Sequence, residues 1–137
     1  NVFISNFISR FKGKNILTGR DLIYTKTLEK FSNGSAFSYF FGNGTGSAYL
    51  VNKTGIHNVY IQILYDHGFI GLLIYLLFFL KNFINALKDK RYFSICIQLI
   101  FLIYSFSGNP LYDYYFFIPY LLFINYKNMS YRGDSYE

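Results

Sequence analysis

The stretch IQILYDHGFIGLLIYLLFFL, residues 61–80, decides the fold class of this chain. Its second part, FIGLLIYLLFFL (69–80), carries no charge, but at 1.5 Å per residue it is too short to cross ~30 Å of hydrocarbon. Extended back to Ile61 it reaches 20 residues, and it then takes in Gln62, Asp66 and His67. A carboxylate is costly among lipid tails, so Asp66 is expected to face a cavity or a partner. Asn58, Gln62 and Asp66 recur every fourth residue, with Tyr65 close to the same face. That spacing predicts a polar stripe running down one side of a membrane helix.

Two more apolar segments follow, from about Tyr92 to Phe106 and from about Leu111 to Tyr126, the latter with Pro119 inside it. The composition agrees with a membrane chain. Hydrophobic residues make up 53% and charged residues only 15%, against about 25% charged in ordinary soluble domains. The reading is therefore an all-α integral membrane protein with about three C-terminal transmembrane helices, over about 61–83, 92–106 and 110–126. No internal repeat and no alternation of strands with helices is visible. The single cysteine, Cys96, lies in an apolar segment and reads as a small buried hydrophobe.

Orientation follows from the basic residues. The connector KNFINALKDKR (81–91) holds Lys81, Lys88, Lys90 and Arg91 against Asp89, and the tail 127–137 adds Lys127 and Arg132. The turn SGNPLYD (107–113) has neither Lys nor Arg. By the positive-inside rule the connector and tail are cytoplasmic, and residues 1–58 form an extracytoplasmic segment. That segment carries seven basic residues against Asp21 and Glu29. A long loop can translocate despite such charge, and an anionic ligand is one reason to keep it. Its helices are expected at 3–11, as an amphipathic interfacial stretch or the outer end of a further span, and after Thr18, which with Asp21 resembles a capping box. Gly34 suits the end of the second of these. The chain opens on Asn1, shows no signal peptide and reads as a piece of a longer protein.

The stretch FFGNGTGSAYLVNKTGIHNVYIQ (40–62) is rich in glycine. A dinucleotide loop would need a strand–loop–helix context with a buried strand before it, and a P-loop would need GKS or GKT; neither is present. The glycines suit either a flexible turn or a loop packed against a ligand. Arg20, in the first turn of a helix, is either a solvated surface residue or a clamp for a diphosphate beside free backbone N–H groups. His57 is either a helix-entry residue or a general base, since imidazole takes protons near neutral pH.

In combination, TGR (18–20), GNGTGS (42–47), HNVYIQILYDHG (57–68) and FIGLLIYL (69–76) resemble the C-terminal part of the O-antigen polymerase and ligase family of bacterial membrane glycosyltransferases. The resemblance covers roughly residues 17–80. It implies a fragment of a larger polytopic helical bundle in the bacterial inner membrane, with residues 1–58 facing the periplasm. It implies undecaprenyl-diphosphate-linked oligosaccharide as substrate, the lipid bilayer as surroundings, a chain-length regulator and a flippase as partners, and no cofactor, metal or nucleic acid. Arg20 would hold the lipid diphosphate and His57 would activate the acceptor hydroxyl. Gly44 and Gly46 would let the backbone approach His57 or the substrate, and Asn58 and Asp66 would add substrate contacts. A further arginine of the family has Arg10 as its weak counterpart. The implied reaction is inverting transfer that polymerises repeat units. Ligation of glycan to lipid A–core, or a non-enzymatic exporter or flippase component, remain the alternatives.

Overall fold

The computed structural model describes residues 19–124, and their regular structure is entirely helical. The helices are α1 (Arg20–Ser32), α2 (Ala36–Phe41), α3 (Ser47–Asn52), α4 (Val59–Lys88), α5 (Tyr92–Tyr104) and α6 (Tyr114–Ile124). The expected amphipathic stretch at 3–11, with Arg10, and the tail 127–137 lie outside the described residues. The chain divides into two compact units at Leu72–Leu73, a boundary that falls inside α4.

In the first unit, α1 begins two residues after Thr18, and its N-cap is Gly19 in the left-handed region (φ 80°), with no side-chain cap bond. The expected Thr18–Asp21 capping box is replaced by a glycine cap. Asp21 in the first turn and Lys30 in the last still complement the helix dipole. The helix closes on Asn33 N–H donating to the Glu29 carbonyl and Gly34 N–H to that of Phe31. Helix α2 is capped by Ser35, whose hydroxyl accepts from Ser38 N–H at 3.2 Å, and stops at Gly42 (φ 78°). Phe31, Ala48, Ile56 and Tyr65 form the buried core, with Ile23, Tyr24, Tyr39 and Leu64 packed around it. Two hydrogen bonds tie α1 to α3: Asn52 Nδ2 donates to Thr27 Oγ1 at 2.8 Å, and Lys26 Nζ to the Val51 carbonyl at 2.9 Å.

Helix α4 is two helices joined at Gly68, whose backbone (φ 68°, ψ −167°) is in a region that only glycine occupies readily. A broken helix leaves carbonyls without their usual donors. Here Asn43 N–H donates to the Tyr65 carbonyl at 3.0 Å and Gly44 N–H to the Asp66 carbonyl at 2.9 Å. The glycine loop therefore completes the last turn before the break. The approach is close enough to forbid side chains on both sides. A Cβ on Gly42 would lie 2.2 Å from the Asp66 carbonyl oxygen, and one on Gly68 would lie 2.5 Å from Phe40 backbone atoms.

The second unit packs the C-terminal part of α4 with α5 and α6. Phe79, Phe101 and Tyr120 stack at centroid distances of 5.5, 5.3 and 4.4 Å, each pair worth about 0.5–1.5 kcal/mol beyond area burial. Helices α5 and α6 run antiparallel, since Ser94 meets Phe123 at one end and Tyr104 meets Phe116 at the other. The buried face of α5 is Ser94, Gln98, Phe101 and Ser105, a spacing of four, three and four. Ser94 Oγ donates to the Phe123 carbonyl at 3.0 Å, and Arg91 Nη1 to that of Ile124 at 2.5 Å, closing the end of α6.

The expectation of three spans is met only in its coarser form. One helix, α4, has the length and composition to cross a membrane. Helices α5 and α6 have 13 and 11 residues, short of the about 20 needed. The residues that the expected spans would add at 105–106 and 110–113 lie outside the helices instead. Conversely, α4 continues past Leu80 to Lys88, because Phe83, Ala86 and Leu87 maintain an apolar face and Ala86 is fully buried. The connector shrinks to residues 89–91, with Lys90 left-handed (φ 53°). Cys96, expected as buried, is exposed.

Candidate functional site

The glycine loop is an anion-binding nest, and its anion is a side chain of the same chain. Gly46 is left-handed (φ 82°) and turns the N–H groups that open α3 toward one point. Asp66 occupies that point. Its carboxylate accepts from Gly46 N–H at 3.0 Å and Ala48 N–H at 2.8 Å, with the Ser47 hydroxyl 3.4 Å away. Convergent backbone donors of this kind favour negative charge. Asp66 is fully buried, so the partner expected from its depth in the sequence pattern is the loop itself. With both oxygens engaged, its carboxylate is a brace and not an open substrate contact.

Asn58 has a similar structural duty. Its Oδ1 accepts from Ile61 N–H at 3.1 Å, which makes it the cap of α4. Asn58 and Gln62 are buried with Asp66, so the polar stripe faces the interior of the first unit. Gly44 (φ 97°) and Gly46 have open space where a Cβ would sit. Both have positive-φ backbone with no neighbour beside it, and the closest backbone-to-backbone approach at the loop is made instead by Gly42 and Gly68. The sequence carried a signal for Gly68, since a glycine inside an otherwise helical apolar run marks a break. Nothing comparable distinguished Gly42 from its neighbours.

His57 is placed for exposure. It sits between Ile56 and Val59, which are 1% and 0% exposed, while its own side chain faces outward. Its backbone is left-handed at φ 54°, which costs a residue with a Cβ about 1 kcal/mol or more. Tyr24 holds it there, its hydroxyl donating to the His57 carbonyl at 3.3 Å. Tyr24 is four residues after Arg20, one turn along the same face of α1. Arg20 is half-buried and is the first residue of that helix. The first turns of α1 and the approach to α4 thus meet at Tyr24. No hydrogen bond orients the His57 imidazole among the described residues.

An apolar hollow of about 370 Å³ lies in the second unit, lined by Ile97, Phe101, Tyr104, Phe116 and Tyr120 among others. It contains none of the residues chosen from sequence. Among the described residues no group of three His, Cys, Asp or Glu side chains is placed to hold a metal ion. No family model, no curated protein and no solved structure matches the chain.

Proposed function

We propose that this chain is part of a membrane glycosyltransferase acting on lipid-diphosphate-linked oligosaccharide at the outer face of a bacterial inner membrane. The observation that carries the reading is the Tyr24–His57 contact, which joins the helix opened by Arg20 to the exposed histidine. An arginine beside free helix N–H groups would steady a departing diphosphate as its charge grows. An exposed imidazole nearby would remove the acceptor hydroxyl's proton as that oxygen attacks the anomeric carbon, a contribution on the order of 10²–10⁴ in rate. The membrane assignment is supported by α4 and by large apolar side chains facing outward, such as Ile74, Ile100 and Leu122, 63–69% exposed.

Polymerisation of repeat units is the preferred reaction, with ligation to lipid A–core as the alternative. Complementation of a deletion strain tests both. His57→Ala and Arg20→Ala are expected to abolish long-chain polysaccharide while the protein still inserts. Single repeats left on core indicate a polymerase, and naked core with polymer on the carrier lipid indicates a ligase. A normal polysaccharide ladder from His57→Ala would refute the enzymatic reading and favour an exporter.

A further inference from the structure

We infer that α2 is embedded in the membrane interface, with Phe37, Phe40 and Phe41 among the lipid acyl chains at the level of the Gly68 break. The inference rests on the membrane reading of α4 and changes what the preceding segment is. From Phe31 to Asn52 the sequence contains no charged residue and no histidine, so no ionised side chain of the segment has to be kept in water. Phe37, Phe40 and Phe41 are 68%, 55% and 57% exposed. Their spacing of three and one puts them on one side of α2, and Phe37 and Phe41 stack at 4.9 Å. Water would face the three most apolar side chains of the helix.

The neighbour of this face identifies its occupant. The end of α2 is fixed against the break, where the Phe40 carbonyl and Gly42 N–H crowd Gly68. The next two residues of α4, Phe69 and Ile70, are themselves exposed at 53% and 38%. They begin the apolar run that the membrane reading assigns to lipid. The aromatic face of α2 therefore continues a lipid-facing surface already required by α4. Phenylalanine is among the side chains that interfacial helices bury at the boundary of headgroups and acyl chains, which suits the aromatic side of α2 to shallow insertion. Helix α2 would then lie in the interface beside the glycine loop and not form a solvated excursion.

The chain contains no tryptophan, so single tryptophans report their own surroundings. Phe37→Trp, Phe40→Trp, Leu77→Trp on α4 and Lys30→Trp on the exposed side of α1 would each be reconstituted in phosphatidylethanolamine–phosphatidylglycerol vesicles. Part of the lipid would be brominated either near the headgroup or near the chain end. Phe37→Trp and Phe40→Trp are expected to be quenched about twofold or more by the shallow bromines and less by the deep ones, with Lys30→Trp unquenched. If Leu77→Trp is quenched while the α2 tryptophans behave like Lys30→Trp, the inference is overturned and the membrane reading stands. Blue-shifted but unquenched α2 emission would also overturn it, because protein and not lipid would then cover the face. An unquenched Leu77→Trp would overturn the membrane reading itself.

Discussion

Removing the Asp66 carboxylate should release the glycine loop while leaving the second unit intact. The side chain is fully buried and accepts two backbone N–H bonds at 3.0 and 2.8 Å. Hydrogen bonds to a charged group contribute about 1.5–3 kcal/mol each, and a buried donor left without a partner costs about 1–3 kcal/mol. Asp66→Ala orphans both N–H groups and is expected to destabilise the loop by about 3–6 kcal/mol. Asp66→Asn keeps one acceptor but turns an amide donor toward the other N–H, for a loss of about 2–3 kcal/mol. Hydrogen exchange by mass spectrometry on the purified protein reads this directly. Each 1.4 kcal/mol is about tenfold in the opening equilibrium, so Asp66→Asn should speed exchange of Gly46 and Ala48 by roughly 30–150-fold. Peptides from α5 should exchange as before. Unchanged protection of residues 42–50 in Asp66→Ala would show that the loop does not depend on the carboxylate.

Three further outcomes follow from the packing. Gly42→Ala and Gly68→Ala each force a Cβ to within 2.2–2.5 Å of backbone atoms and are expected to lower the unfolding temperature sharply. Gly44→Ala and Gly46→Ala, with open space around them, should cost only about 1–2 kcal/mol from the positive φ. Gln98 is fully buried with both amide atoms lacking a hydrogen-bond partner among the described residues. Gln98→Met is therefore expected to stabilise the protein by about 1–2 kcal/mol, seen as a higher melting temperature in detergent. Ser94→Ala and Arg91→Ala each remove a bond to the end of α6. Both side chains reach the Ile124 carbonyl, so a double-mutant cycle should show non-additivity of about 0.5 kcal/mol or more.

What the sequence made legible was whatever depends on hydropathy summed over many residues. The helical class and the long apolar helix are of that kind, whereas the apolar face expected of α1 is only partly the buried one, since Leu22 and Leu28 are exposed. The ends of the helices were not legible, because hydropathy does not decide where a backbone stops being helical. Helix α4 passes Leu80 on the strength of Phe83, Ala86 and Leu87, and α5 stops at Tyr104 before its apolar run is finished. The Asp66 brace was half legible: depth demanded a partner, but the partner is backbone N–H from residues 46 and 48, which no side-chain pattern encodes. Asn58 was ambiguous for a different reason, since a polar side chain at a helix entrance can serve as a cap, the role the structure shows, and as a substrate contact equally well on paper. The short helices α2 and α3 escaped notice because two turns among glycines leave no periodicity to detect.

The position of the Asp66 nest in the chain has a consequence for how the protein is made. The donors at 46 and 48 precede the carboxylate by 20 and 18 residues, so in the proposed topology they are synthesised and exported ahead of it. An aspartate entering the bilayer alone would have to carry a proton or drag water with it. Here the receptor for its charge is already waiting on the far side when the helix arrives. Reversing the order, with the glycine loop placed after the helix, would give the same contacts in the finished fold and a much harder insertion step.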